Sequence, residues 1–226
     1  MTGRESMRVK ICGITNLDDA RCAAEAGADM LGFICTNKSP RYVEPWQAFH
    51  IIDSLRAEFA GNTDRLPKMV GVFVDMPPAD IRQVMDRSGF DYVQLHGAEP
   101  RNDLLLLRRR AFKAVRPRAE DIGLLEAMRY GNYGMWDGPR LLVDAYSAKA
   151  RGGTGELADW DLAAIMASRI PNVLLAGGLT PDNVTEAIRM VRPWGVDASS
   201  GLEFEPGSKD HDAIRRFVLA AKNALY

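Results

Sequence analysis

Eight short apolar runs, each followed by a stretch of helical periodicity, predict an α/β fold, a (β/α)8 TIM barrel forming one domain over residues 1–226. Three observations carry that prediction. The strand and helix pairs recur about 25 residues apart, which leaves no length for a second domain. KMVGVFVD at 68–75 is almost unbroken apolar sequence, the pattern of a parallel strand covered on both faces. The glycine-rich loops come late, after the sixth, seventh and eighth strands, whereas an open doubly wound sheet carries one such loop after its first strand.

The elements follow in order. Residues 1–7 form a flexible N-terminal extension, and the first strand covers 9–14. Asn16 caps a helix over 17–26 that Gly27 stops. A second strand at 29–34 leads through the polar loop TNKSPRY (36–42) to a helix from Pro45 to about 59, and GNTDRLP at 61–67 is an exposed loop. The third strand gives way to a helix opened by Pro77 and Pro78, with Asp80 favourable in its first turn. Strand 92–96 precedes a helix over 100–109, and AFKAV at 111–115 precedes one over 119–129. The loop 130–139, rich in glycine and aromatics, leads to strand 140–144, which ends on an acid. A long small-residue loop and a helix over 159–168 follow. Strand 172–176 ends in GGL before a helix launched at Thr180-Pro181, and strand 195–198 ends in SSGLE before a last helix over 210–225.

Composition narrows the function classes. A net charge of −1 and a pI of about 6.3 supply no global field for nucleic acid or an anionic membrane, so any anion site is local. No run approaches the roughly 18 apolar residues of a membrane span, and the start MTGRESMRVK lacks a signal-peptide apolar region. Three cysteines without paired metal spacing suit reduced thiols in the cytoplasm, with no zinc site and no disulfide framework. The expected partner is a small molecule, with no nucleic acid and no membrane, and a monomer is preferred over a homodimer.

Alternation places Lys10 and Cys12 on the same face of the first strand, inward in a barrel, with Cys12 toward the carboxyl end where barrel chemistry sits. Asp144 ends the sixth strand in the same way, and a thiol facing a carboxyl across the mouth has the makings of a base and an acid. AGGL (176–179) and SSG (199–201) offer backbone N–H groups without obstructing side chains, as a phosphate requires. GGTG at 152–155, ending at Gly155, lines that phosphate, acts as a flap, or keeps a long loop pliable. Arg41, after the second strand, is expected across the barrel from strands seven and eight, where its planar guanidinium would hold a second anion. Gln94 and His96 alternate inward on the fourth strand, in reach of a substrate or of Asp144, or simply as a hydrogen-bonded rim pair. Asp197, near the end of strand eight, contacts the ligand or orders its loop. Cys22 reads as core packing, and Cys35 as the rival thiol near the mouth.

KICGIT, SPRYV, VGVF, QLHG, DA followed by GGTG, LAGGL, and VDASSGLE with PGSKD run in this order along nearly the whole chain, and together they resemble the phosphoribosylanthranilate isomerases of tryptophan biosynthesis. The resemblance implies a (β/α)8 barrel that converts N-(5-phosphoribosyl)anthranilate to 1-(2-carboxyphenylamino)-1-deoxy-D-ribulose 5-phosphate by an Amadori rearrangement, with no cofactor and no metal. Motif by motif, it implies Cys12 as general base and Asp144 as general acid. It also implies Arg41 as anchor of the anthranilate carboxylate, with Gly177, Gly178, Ser200 and Gly201 around the phosphate.

Such chemistry asks both groups to change protonation state. An unperturbed Asp is neutral about one time in a thousand at pH 7, a gap of about 4 kcal/mol, and an unperturbed thiol is only a few per cent thiolate. Lys10 is the expected source of a bias toward thiolate. Two other classes remain open: a Schiff-base lyase, which needs a nucleophilic lysine at a strand end where Lys10 and Lys113 do not sit, and a non-catalytic phosphate binder, which would leave Cys12 and Asp144 unexplained.

Overall fold

The computed structural model describes residues 6–107, 109–116, 120–133, 137–145 and 160–224. Eight parallel strands close into a ring: β1 (Arg8–Cys12), β2 (Met30–Ile34), β3 (Lys68–Phe73), β4 (Tyr92–Leu95), β5 (Ala111–Val115), β6 (Leu141–Asp144), β7 (Val173–Ala176) and β8 (Gly195–Ala198). Closure is made by β1 and β8, with Lys10 opposite Asp197. The helices outside are α1 (Leu17–Ala26), α2 (Pro45–Glu58), α3 (Pro78–Ser88), α4 (Arg101–Leu106), α5 (Glu120–Gly131), α6 (Trp160–Arg169), α7 (Val184–Val191) and α8 (His211–Lys222).

Strand alternation produces two cores. Met30, Val70, Phe112, Ala114, Leu142, Leu174 and Ala176 fill the barrel interior, while Val9, Ile11, Leu31, Phe33, Met69 and Phe73 face the helices. The registry therefore sends even-numbered positions inward on β1 to β7 and odd ones inward on β8, including Asp197. Gly32 makes this interior possible at one crowded point: a Cβ there would lie 2.7 Å from Cys12 Sγ and 3.0 Å from Lys10 Nζ.

Local signals set the helix ends. The Asn16 side chain accepts from Asp19 N–H at 2.9 Å, and Gly27 takes φ 95° at the end of α1. α7 buries Val184, Ala187, Ile188 and Val191, one helical stripe whose fully buried isoleucine alone is worth about 1.5–3 kcal/mol.

Several boundaries differ from the sequence reading. β1 ends at Cys12 because Gly13 turns away at φ 79°, which leaves the thiol on the last residue of the strand. α7 starts at Val184 rather than at Thr180-Pro181, since Asn183 Oδ1 accepts from Thr180 N–H at 2.8 Å and folds a turn ahead of the helix. Met7 is buried, so the packed chain begins before residue 8 rather than after a free extension of seven. A hairpin that strand periodicity does not reveal, β9 (Glu203–Glu205) with β10 (Ser208–Lys209), follows β8.

Candidate active site

At the carboxyl ends of the strands lies a cavity of about 490 Å³, and it gathers side chains from the inward positions of most of the ring. Cys12, Gln94, His96, Asp144 and Asp197 all line it, together with Gly177, Gly178, Ser200 and Gly201. Ten sequence candidates therefore divide cleanly: these nine converge, and Arg41 stands beside them in a different bond network. Gly155, the eleventh, lies outside the described residues.

The glycines behave as an anion cradle requires. Gly177 and Gly178 take φ 105° and 64°, consecutive left-handed residues that turn the loop after β7 across the mouth. A Cβ on Gly201 would collide with the Leu179 carbonyl, so only glycine lets the loops after β7 and β8 meet. Asn183 braces this wall by donating from Nδ2 to the Gly178 carbonyl at 3.0 Å, a role that its sequence position alone does not signal.

Cys12 is buried in the mouth. Burial pushes its thiol up from the ordinary value; Lys10 pulls it down, and Asp197 pushes it up again. The expected Lys10 bias thus has the right sign, but it does not prevail. Lys10 is fully buried and its Nζ lies 2.8 Å from Asp197 Oδ1, so much of its field is already answered. Asp197 is consequently a partner of Lys10 beneath Cys12 as well as a lining residue. Cys35, the rival thiol, is pushed up to about 12 by burial and donates to the Phe33 carbonyl, away from this cavity. Cys22 packs in the core on α1.

Asp144 Oδ2 accepts from Arg116 Nε at 2.7 Å. Arg116, which sequence reasoning missed, follows β5 two residues beyond inward-facing Ala114, and that spacing is the signal that would have found it. Its side chain is 69% exposed, so the pair is worth at most about 1 kcal/mol and is easily loosened.

Arg41 corrects the sequence reading. It lies next to the β8 side of the mouth rather than across from it, because in the closed ring only β1 separates β2 from β8. Glu203 of β9 accepts from Arg41 Nε and Nη2 at 2.8 and 2.6 Å, and from Lys209 Nζ at 2.7 Å. Burial alone would raise the Glu203 carboxyl; hydrogen bonds from Arg41 and Lys209 outweigh it and hold the group below the usual carboxylate range. Neither lysine suits a Schiff base: Lys10 is ion-paired, and Lys113 points out of the barrel to bond the Gly97 and Ala114 carbonyls at 2.7 and 2.9 Å. No group of three or more His, Cys, Asp or Glu able to hold a metal occurs among the described residues.

A closed parallel barrel with glycine-rich loops, a thiol and a carboxyl gathered at the carboxyl ends of its strands has the form of a barrel enzyme's active site. The comparisons sharpen that class. The family described as N-(5'-phosphoribosyl)anthranilate (PRA) isomerase matches residues 9–220. The N-(5'-phosphoribosyl)anthranilate isomerase of Geobacter sulfurreducens is 45% identical over 96% of this chain and 98% of its own. That of Pelobacter propionicus is 46% identical over 96% of each. Among solved structures, the phosphoribosylanthranilate isomerase of Thermotoga maritima superposes with a TM-score of 0.82 at 39% identity, covering 96% of this chain and 98% of its own. A phosphoribosylanthranilate isomerase in complex with reduced 1-(o-carboxyphenylamino)-1-deoxyribulose 5-phosphate gives 0.80 at 38%, covering 96% and 98%.

The chain belongs to the phosphoribosylanthranilate isomerase family. It is an aldose–ketose isomerase that carries out the Amadori rearrangement of N-(5-phosphoribosyl)anthranilate in tryptophan biosynthesis.

Proposed function

We propose that Cys12 and Asp144 carry this rearrangement as general base and general acid. Asp144 protonates the furanose oxygen as the ring opens to a Schiff base. The Cys12 thiolate then removes the C2′ proton, and the resulting enolamine tautomerises to the ketone. One observation carries the assignment: the two groups end different strands yet line the same cavity as the glycine cradle. Gly177, Gly178, Ser200 and Gly201 take the phosphate, and Gln94, His96 and Asp197 line the sugar.

Arg41 holds the anthranilate carboxylate, turning part of its guanidinium from Glu203 toward the ligand. Lys209, also bonded to Glu203, keeps that acid compensated when Arg41 shifts. The Arg116 pair must loosen for Asp144 to act as an acid, and the exposure of Arg116 makes that inexpensive.

Turnover of phosphoribosylanthranilate, followed through its fluorescence, tests the roles. Cys12→Ser and Asp144→Asn are each expected to lose about 10²–10⁴-fold in kcat. Activity close to wild type in either variant removes that residue from the mechanism.

A cytoplasmic monomer is the reading for context. The free thiols Cys12, Cys22 and Cys35 support a reducing compartment, and no described helix is long and apolar enough to cross a membrane. A Thermotoga maritima relative is described as dimeric, so sedimentation of this chain decides the oligomeric state.

A further inference from the structure

Three buried polar atoms in the cavity side chains have no hydrogen-bond partner among the described residues: Ser199 Oγ after β8, and Gln94 Oε1 and His96 Nε2 on two neighbouring side chains. Yet the two side chains bond each other, with Gln94 Nε2 2.9 Å from His96 Nδ1. In this orientation of the amide its N–H donates and Nδ1 accepts, and a neutral imidazole that accepts at Nδ1 carries its proton on Nε2; the reverse orientation would place the proton on Nδ1. Gln94 is 1% exposed on the inward face of β4, which keeps its amide against the His96 ring. Burial, aided by the charge of Arg116, pushes the His96 imidazole below its ordinary value, which keeps it neutral. A buried donor without a partner is costly, and a cavity that retains one is shaped for an acceptor.

We propose that Gln94 is a positioning residue that fixes His96 as its neutral Nε2–H tautomer, and that this N–H donates to an uncharged sugar oxygen of the substrate, hydroxyl or nascent carbonyl. The acceptor is uncharged because the phosphate has its own cradle after β7 and β8, and because a neutral imidazole polarises a carbonyl without protonating it. Sequence supplies the pair as QLHG; the structure adds that Nδ1 is engaged by Gln94 while Nε2 is left without a partner among the described residues. The inference rests on the reading that the chemistry occurs in this cavity.

Nitrogen-15 NMR of histidine-labelled enzyme tests it directly, with the His96 resonances assigned by their loss in His96→Gln. The Nε2–H tautomer is expected in wild type at neutral pH; the Nδ1–H tautomer, or an imidazolium, overturns the proposal. Gln94→Glu replaces the amide donor by an acceptor and is expected to reverse the tautomer, lowering kcat about tenfold or more while KM moves less than about threefold. A reversed tautomer with unchanged kcat overturns it. Should Gln94→Glu fail to fold, His96→Gln, which keeps an amide donor, is compared with His96→Phe; equal kcat in the two overturns it. Cys12→Ser and Asp144→Asn separate the layers. If both abolish turnover while His96→Phe does not, only this inference falls; if both stay active, the reading beneath it falls.

Discussion

The Cys12 thiol sits between two opposed charges, and its chemistry depends on which one dominates. Lys10 favours the thiolate, Asp197 opposes it, and burial opposes it more strongly than either. Alkylation of Cys12 by iodoacetamide should therefore be slow at neutral pH and accelerate above the ordinary thiol range. Replacing Lys10 by Met removes the one strong influence toward thiolate, so the rate–pH profile is expected to move to still higher pH. An unmoved profile would exclude Lys10 from tuning the base. Alternation made the Lys10–Cys12 pairing legible in the sequence. Asp197 was legible only as a strand end, because its bond to Lys10 joins residues 187 positions apart and exists only once the ring closes.

At the scale of single elements, two features invite separate tests. Gly27 ends α1 at φ 95°, and a Cβ added there would have Val218 Cγ1 as its nearest neighbour at a full 4.0 Å, so Gly27→Ala probes backbone strain alone. A loss of about 1–2 kcal/mol in urea unfolding is expected, with kcat unchanged. The hairpin of β9 and β10 is different, because it carries an ion cluster. Lys209 is wholly buried at its side chain, and Glu203 answers both it and Arg41. Glu203→Gln leaves that lysine uncompensated and is expected to cost about 3–5 kcal/mol. Because the folded Glu203 carboxyl is held low, its stabilisation is present above the ordinary carboxylate range and disappears as pH falls through the lowered value. Wild type and variant should converge in acid; a gap that persists there would show that packing, not charge, is lost. The motif PGSKD marks this segment in the sequence, but the short strands leave no periodic trace, and so the partner of Arg41 stayed hidden.

Across the whole molecule, the parts that the sequence reveals are those governed by local periodicity. Inward Gln94, the acid that ends β6 and the glycines after β7 and β8 all follow from a period of two and from turn chemistry. What it conceals depends on closure: Arg41 moves next to β8 because the ring brings first and last strands together, and Arg116 reaches Asp144 from the neighbouring strand β5. The same closure allows a thiol and a carboxyl, remote in sequence, to share one glycine-lined cavity. The most direct measurement is to compare turnover with affinity for the reduced product analogue in Cys12→Ser and Asp144→Asn. Turnover should fall by about a hundredfold or more while analogue affinity stays within about tenfold of wild type. Loss of affinity in step with turnover, or turnover that survives either change, would contradict the division between a cradle that binds and a thiol–carboxyl pair that reacts.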